Sequence, residues 1–180
     1  MSTIVSNPPE TLADLIERLG EIPAQRVRMR PFPGTATEKD VVDIRNREKR
    51  LFELVDGTLV EKGMGYIEST LACYIIVKLK EFVDPRNLGL VSGESGMMAL
   101  VPGMVRIPDM AFASWQRFPD RKMPKEPIPQ LVPDLVVEVL SESNTEREMA
   151  RKVPRIFSGR RAVSLGSRSK ESDRRGLYGC

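Results

Sequence analysis

Histidine is absent from this sequence of 180 residues, cysteine occurs twice, and aromatic residues make up only 6%. Without histidine, Ser-His-Asp and Cys-His mechanisms and every His-ligated metal centre are excluded. Cys73 lies inside an apolar helical pattern and Cys180 is the last residue, so they cannot be read as a disulfide framework or a zinc site. No stretch approaches the roughly 18 to 20 uninterrupted apolar residues of a membrane span. The polar start MSTIVSNPPE has neither the basic nor the apolar part of a secretory signal. A soluble cytoplasmic protein with no membrane partner is expected. What is present, 41% hydrophobic and 29% charged residues, suits one compact domain with a real core.

A formal net charge of +3 and a pI near 9.0 invite a nucleic-acid reading until the distribution is inspected. Of the 28 basic and 25 acidic residues, seven and two fall in positions 153–180, leaving 21 and 23 in positions 1–152. The body is slightly acidic, so the pI is no evidence for a basic binding face.

Along the chain, Leu12, Leu15, Ile16 and Leu19 have helical spacing closed by Gly20, which predicts a short first helix. Thr37 followed by Glu38 and Asp40 reads as an N-cap with acids in the first turn of a helix running to about Arg50. LFELVDGTLVEK gives two β-prone runs about Asp56-Gly57, a dipeptide suited to a tight hairpin. From Tyr66 to Val83, Ile67, Leu71, Tyr74, Ile75, Leu79 and Phe82 mark the main amphipathic helix, ended by Asp84-Pro85. LGLVSGE, GMMALVPG and MVRIPDMAFASW read as strands of a largely antiparallel sheet, and PDRKMPKEPIPQLVP as a surface loop. PDLVVEVLS has the near-continuous apolar run of a strand buried on both faces, and Asn144-Thr145 offers an N-cap to EREMARKV.

Two acids interrupt apolar strand patterns: Asp109 in RIPDMAF and Glu138 in DLVVEVLS. Burying a carboxylate costs several kcal/mol unless a cation or hydrogen bonds compensate it. Glu53 in LFELVDG is a third such acid, and Lys152 lies in the helical pattern after Glu138. If the strands of Asp109 and Glu138 are neighbours, their side chains and Lys152 can converge at one sheet edge. Oxygen ligands alone then favour Mg²⁺ or Mn²⁺. The bland reading is that the acids are half-exposed or pair with local arginines such as Arg106, and that Lys152 is solvated. Glu68 suits the helix dipole, Met97 and Met98 suit packing, and Trp115 suits a cap over the sheet.

The strings LFELVDGTLVEKGMGY, GLVSGES, VRIPDMAFASW, PDLVVEVLSESN and EREMARKV resemble, in order and spacing, the restriction-endonuclease-like family of small bacterial proteins within the PD-(D/E)XK phosphodiesterase superfamily. The resemblance covers about residues 31–153, leaving 1–30 as an N-terminal extension with a short helix. It implies an α/β (α+β) restriction-endonuclease-like fold, a mixed central sheet flanked by helices, and a metal-dependent site acting on DNA. Asp109 falls at the motif aspartate and Glu138 at the motif acid. Position 140, where the superfamily usually has lysine, is Leu140; the family lysine corresponds to Lys152 in the next helix, and Glu53 matches the upstream acid. Asp109 and Glu138 would hold Mg²⁺, Lys152 would orient the attacking water or stabilise the pentavalent phosphate, and Glu53 would support the metal or its waters. A homodimer would suit cutting two strands. The competing reading is a catalytically inactive nucleic-acid-binding or protein-interaction module with the same fold.

The resemblance stops at Val153. Residues 154–180 are rich in Arg, Ser and Gly and lack the family's Val-Trp-x-Val-Asp-Pro and Thr-Val-x-Val-Tyr strands. Their composition and lack of period predict a disordered tail, and the resemblance implies that the C-terminal strands are missing. Back-translated and read one base later, the tail permits REYFLAGVRSVWEVDPKNRTVEVYTG, which restores the family pattern and points to a one-base insertion near codon 154.

Overall fold

A computed structural model describes residues 9–63, 65–140, 144–148, 150 and 161–166. The first helix, α1 (Leu12–Leu19), starts at a Thr11–Asp14 capping box and ends at Gly20 in the left-handed conformation. A two-residue strand, β1 (Val27–Arg28), follows. Helix α2 (Glu38–Glu48) is opened by the expected Thr37, in a capping box with Asp40, and stops two residues short of Arg50 because Lys49 turns left-handed. Then come the hairpin β2 (Phe52–Val55) and β3 (Thr58–Glu61), helix α3 (Tyr66–Val83), and strands β4 (Gly89–Gly93), β5 (Met98–Val101), β6 (Met104–Arg106), β7 (Met110–Ser114), β8 (Leu135–Leu140) and β9 (Arg161–Gly166).

The expected hairpin turns through Asp56 and Gly57, both at positive φ, as a tight I′-type turn requires. Gly57 also lies against the chain at Gly34. Its carbonyl accepts from the Gly34 and Ala36 amides, and a Cβ on it would come within 2.5 Å of the Gly34 backbone.

Among the described residues, strand pairing divides the fold into two sheets. One has the order β1-β3-β2-β6-β5 and is antiparallel throughout; the other has the order β4-β7-β8-β9. In the second, β4, β7 and β8 pair antiparallel, whereas β9 runs parallel to β8 from Leu135↔Arg161 to Leu140↔Gly166. That parallel partner corrects the expectation that residues 154–180 carry no strand. A parallel ladder is built from backbone N–H and C=O groups, which the edge of β8 supplies to a segment lacking a strong side-chain pattern.

Among the described residues, three apolar clusters hold these layers. Val41 and Ile44 of α2 pack on Phe52, Leu54, Leu59 and Val105. On the other face of the hairpin, α1 sets Leu15 with Ile22, Val55 and Val60. Met98 and Leu100 meet Ala111 and Val136, joining the two sheets. The central residues of β8 are buried, as its apolar run predicts. Met97 and Met98 are core residues, and Trp115 meets Phe118 edge to face while its indole N–H donates to Asn87. Helix α3 differs from its predicted face: Ala72 and Val83 are its buried residues, whereas Ile67, Tyr74 and Phe82 are more than half exposed. The helix leans on β4 and β8 from one side, and these three project away from that contact. Among the described residues no helix is long and apolar enough to cross a membrane.

Candidate metal centre

The register of the second sheet brings the two interrupting acids together. Met110 of β7 pairs with Val137 of β8, so one further step sets Asp109 opposite Glu138. Directly opposed residues on antiparallel strands have Cβ atoms roughly 4.5–5.5 Å apart and share one face. The apolar run that places Glu138 in a central strand therefore also places its carboxylate against that of Asp109. The Val139 amide donates to Asp109 Oδ2 at 2.7 Å and fixes that carboxylate at the end of the β7–β8 ladder.

A residue that sequence reasoning did not single out lies between them. The Lys62 ammonium is 2.6 Å from Asp109 Oδ1 and 3.9 Å from Glu138 Oε2, and its side chain is only 5% exposed. Lys62 follows β3 directly, and its amide donates to the Leu51 carbonyl at 2.9 Å, extending the hairpin ladder. Period-two alternation gives it the face of Val60, which is buried. That alternation was the available signal; a lysine at a strand end otherwise reads as solvated.

Glu53 stands on the same face, opposite Val60. Leu54 pairs with Val105, so the next step sets Glu53 opposite Arg106. Arg106 Nη1 donates to Glu53 Oε2 at 3.0 Å, and the Ile107 amide donates to Oε1 at 3.0 Å. Both side chains are buried, at 7% and 4% exposure for Arg106 and Glu53. Glu53 is thus tied to an arginine, as the bland reading has it, and also holds the backbone two residues before Asp109.

Lys152 lies outside the described residues. The segment leading to it is anchored: the Thr145 hydroxyl accepts from the Glu148 amide, caps the helical residues 146–148 as expected, and donates to the Gly20 carbonyl. Glu148 is buried against Arg26 at 3.1 Å, and Arg26 Nε donates to the Glu61 carbonyl beside Lys62.

At the other end of the β7–β8 pair, Asp134 takes hydrogen bonds from the Ser114 amide and the Arg117 guanidinium. Burial acts to raise its carboxyl, but these hydrogen bonds outweigh it and lower the carboxyl to about 2. An apolar cavity of about 210 Å³, lined by Met97, Met98, Phe118 and Leu131 among others, has no ionisable residue in its wall and is separate chemistry from the acids.

No group of three His, Cys, Asp or Glu side chains among the described residues converges on one point. The Asp109–Glu138 pair nevertheless fits a hard cation. Its donors are carboxylate oxygens, it already shares one positive charge with Lys62, and two carboxylates suffice for Mg²⁺, which keeps waters and phosphate oxygens as its other ligands.

No curated protein matches this sequence significantly. A crystal structure titled as that of a putative nuclease belonging to DUF820, from Anabaena variabilis, matches with a TM-score of 0.56 at 15% identity, over 66% of this chain and 67% of that one. The two share a mixed α+β fold. The Uma2 family model, described as "Putative restriction endonuclease", matches residues 39–155. With more than half of its length matched, the chain belongs to the Uma2 family.

Proposed function

We propose that this protein is a cytoplasmic, divalent-metal-dependent endonuclease that hydrolyses phosphodiester bonds in DNA. The observation that carries this reading is the opposition of Asp109 and Glu138 at the end of the β7–β8 pair, with the Lys62 ammonium between them. Asp109 and Glu138 would hold Mg²⁺ or Mn²⁺. Such an ion, when bound, lowers the pKa of a coordinated water and neutralises charge developing on phosphorus.

The chain's own residues prepare that place. The Val139 amide orients Asp109, and Glu53 holds the Ile107 amide and so fixes the approach to Asp109. Glu53 supports the metal site from behind, with Arg106 balancing its charge. Lys152 would orient the attacking water or stabilise the pentavalent phosphate, a role that comes from the family pattern. Two copies related by a two-fold axis would cut both strands.

The Lys62–Asp109 ion pair favours a second reading, a catalytically inactive nucleic-acid-binding or protein-interaction module in which lysine has neutralised the old site. Plasmid nicking separates the two. The enzyme requires Mg²⁺-dependent nicking that EDTA abolishes and that Asp109→Asn and Glu138→Gln each remove. DNA binding without cleavage identifies the module.

A further inference from the structure

Lys62 is a charged side chain of this site to which the family motifs give no role. Its backbone is fixed by the hairpin, yet its ammonium crosses to the other sheet and reaches both opposed carboxylates, at 2.6 and 3.9 Å. A lysine this buried is uncommon unless paired, and here the pairing is with the two groups that would ligate a metal. An ammonium and a divalent ion cannot both sit against Asp109 without strong mutual repulsion, because Coulomb energies at a few ångströms remain large near a partly buried site. The stem is four carbons long, so the ammonium can leave while the hairpin stays in place.

The geometry points to Lys62 as a built-in counter-cation of the metal centre. It holds Asp109 and Glu138 in register in the metal-free protein, withdraws when a divalent ion binds, and thereby sets the affinity of the site for metal. Lys62 is a positioning residue in this role, acting through the two carboxylates. The inference rests on the metal-centre reading above.

Mn²⁺ binding to the full chain, followed by the electron paramagnetic resonance of the free ion, tests it. Lys62→Met removes the competing charge and is expected to tighten Mn²⁺ binding by about tenfold or more. Lys62→Arg keeps the charge and stays near the parent affinity. Unchanged or weaker binding in Lys62→Met, while Asp109→Asn still abolishes binding, overturns the role of Lys62 and leaves the metal centre standing. Binding insensitive to both Asp109→Asn and Glu138→Gln overturns the metal centre and the inference with it. A second measurement uses the unaltered protein: Lys62 should resist an amine-acylating reagent in EDTA and become reactive at saturating Mn²⁺, as read by peptide mass spectrometry. Equal labelling in the two conditions overturns the withdrawal.

Discussion

Replacing Arg106 by methionine removes one half of a buried ion pair whose charged atoms are 3.0 Å apart. At an effective dielectric constant near 20, two unit charges at that distance attract by on the order of 5 kcal/mol. Desolvation of both groups offsets much of this in the intact pair, but the offset does not vanish when only the arginine goes. Glu53 would then keep the Ile107 amide and lose the Arg106 guanidinium, at a position that is 3% exposed in the parent. Breaking such a pair from one side costs about 3–5 kcal/mol, a large part of the roughly 5–15 kcal/mol that holds a domain. The companion variant Glu53→Gln, Arg106→Met carries neither charge, and its glutamine oxygen can still accept from Ile107. It is expected within about 1–2 kcal/mol of the parent. Urea unfolding followed by circular dichroism reads both values from the midpoints at constant slope. A loss below about 1 kcal/mol in Arg106→Met, or a double variant no better than the single one, would refute the view that Arg106 compensates Glu53.

Acid should act on the Asp134 clasp. Its folded carboxyl lies below the ordinary 3.8, at about 2, so its contribution is fully present above about pH 4 and is lost as pH falls towards 2. Asp134→Asn should cost about 1–2 kcal/mol at neutral pH after allowance for solvent screening, and the difference from the parent should shrink as pH falls from about 4 and close below about pH 2 in urea midpoints. Gly57→Ala combines a φ of +71° with a Cβ 2.5 Å from the Gly34 backbone. It should destabilise the hairpin by at least about 1–2 kcal/mol in thermal unfolding. The gene, read one base later from codon 154, should encode REYFLAGVRSVWEVDPKNRTVEVYTG; codons that do not yield this string end the insertion proposal.

Local features of the chain were legible where one residue type answers one local need. Asp56-Gly57 turns the hairpin because both positions take positive φ, and Thr37 and Thr145 cap helices through short-range hydrogen bonds. Asp109 and Glu138 stood out because a carboxylate within an apolar strand needs compensation, and their opposition follows once β7 and β8 pair. Lys62 was hidden because its partner Asp109 is 47 residues away and nothing in LVEK distinguishes a buried ammonium from a solvated one. Glu53 looked like Asp109 and Glu138 in sequence, yet its compensation by Arg106 depends on the β2–β6 pairing. The split into two sheets and the addition of β9 are long-range pairings of backbone groups, for which side-chain periodicity carries little information.

Diffraction from crystals soaked in Mn²⁺, collected at a wavelength where manganese scatters anomalously, tests the metal centre most directly. An anomalous peak about 2.1 Å from carboxylate oxygens of both Asp109 and Glu138 is the expected result. A peak bound elsewhere, or none at saturating Mn²⁺ with Lys62 still seated on Asp109, would contradict it.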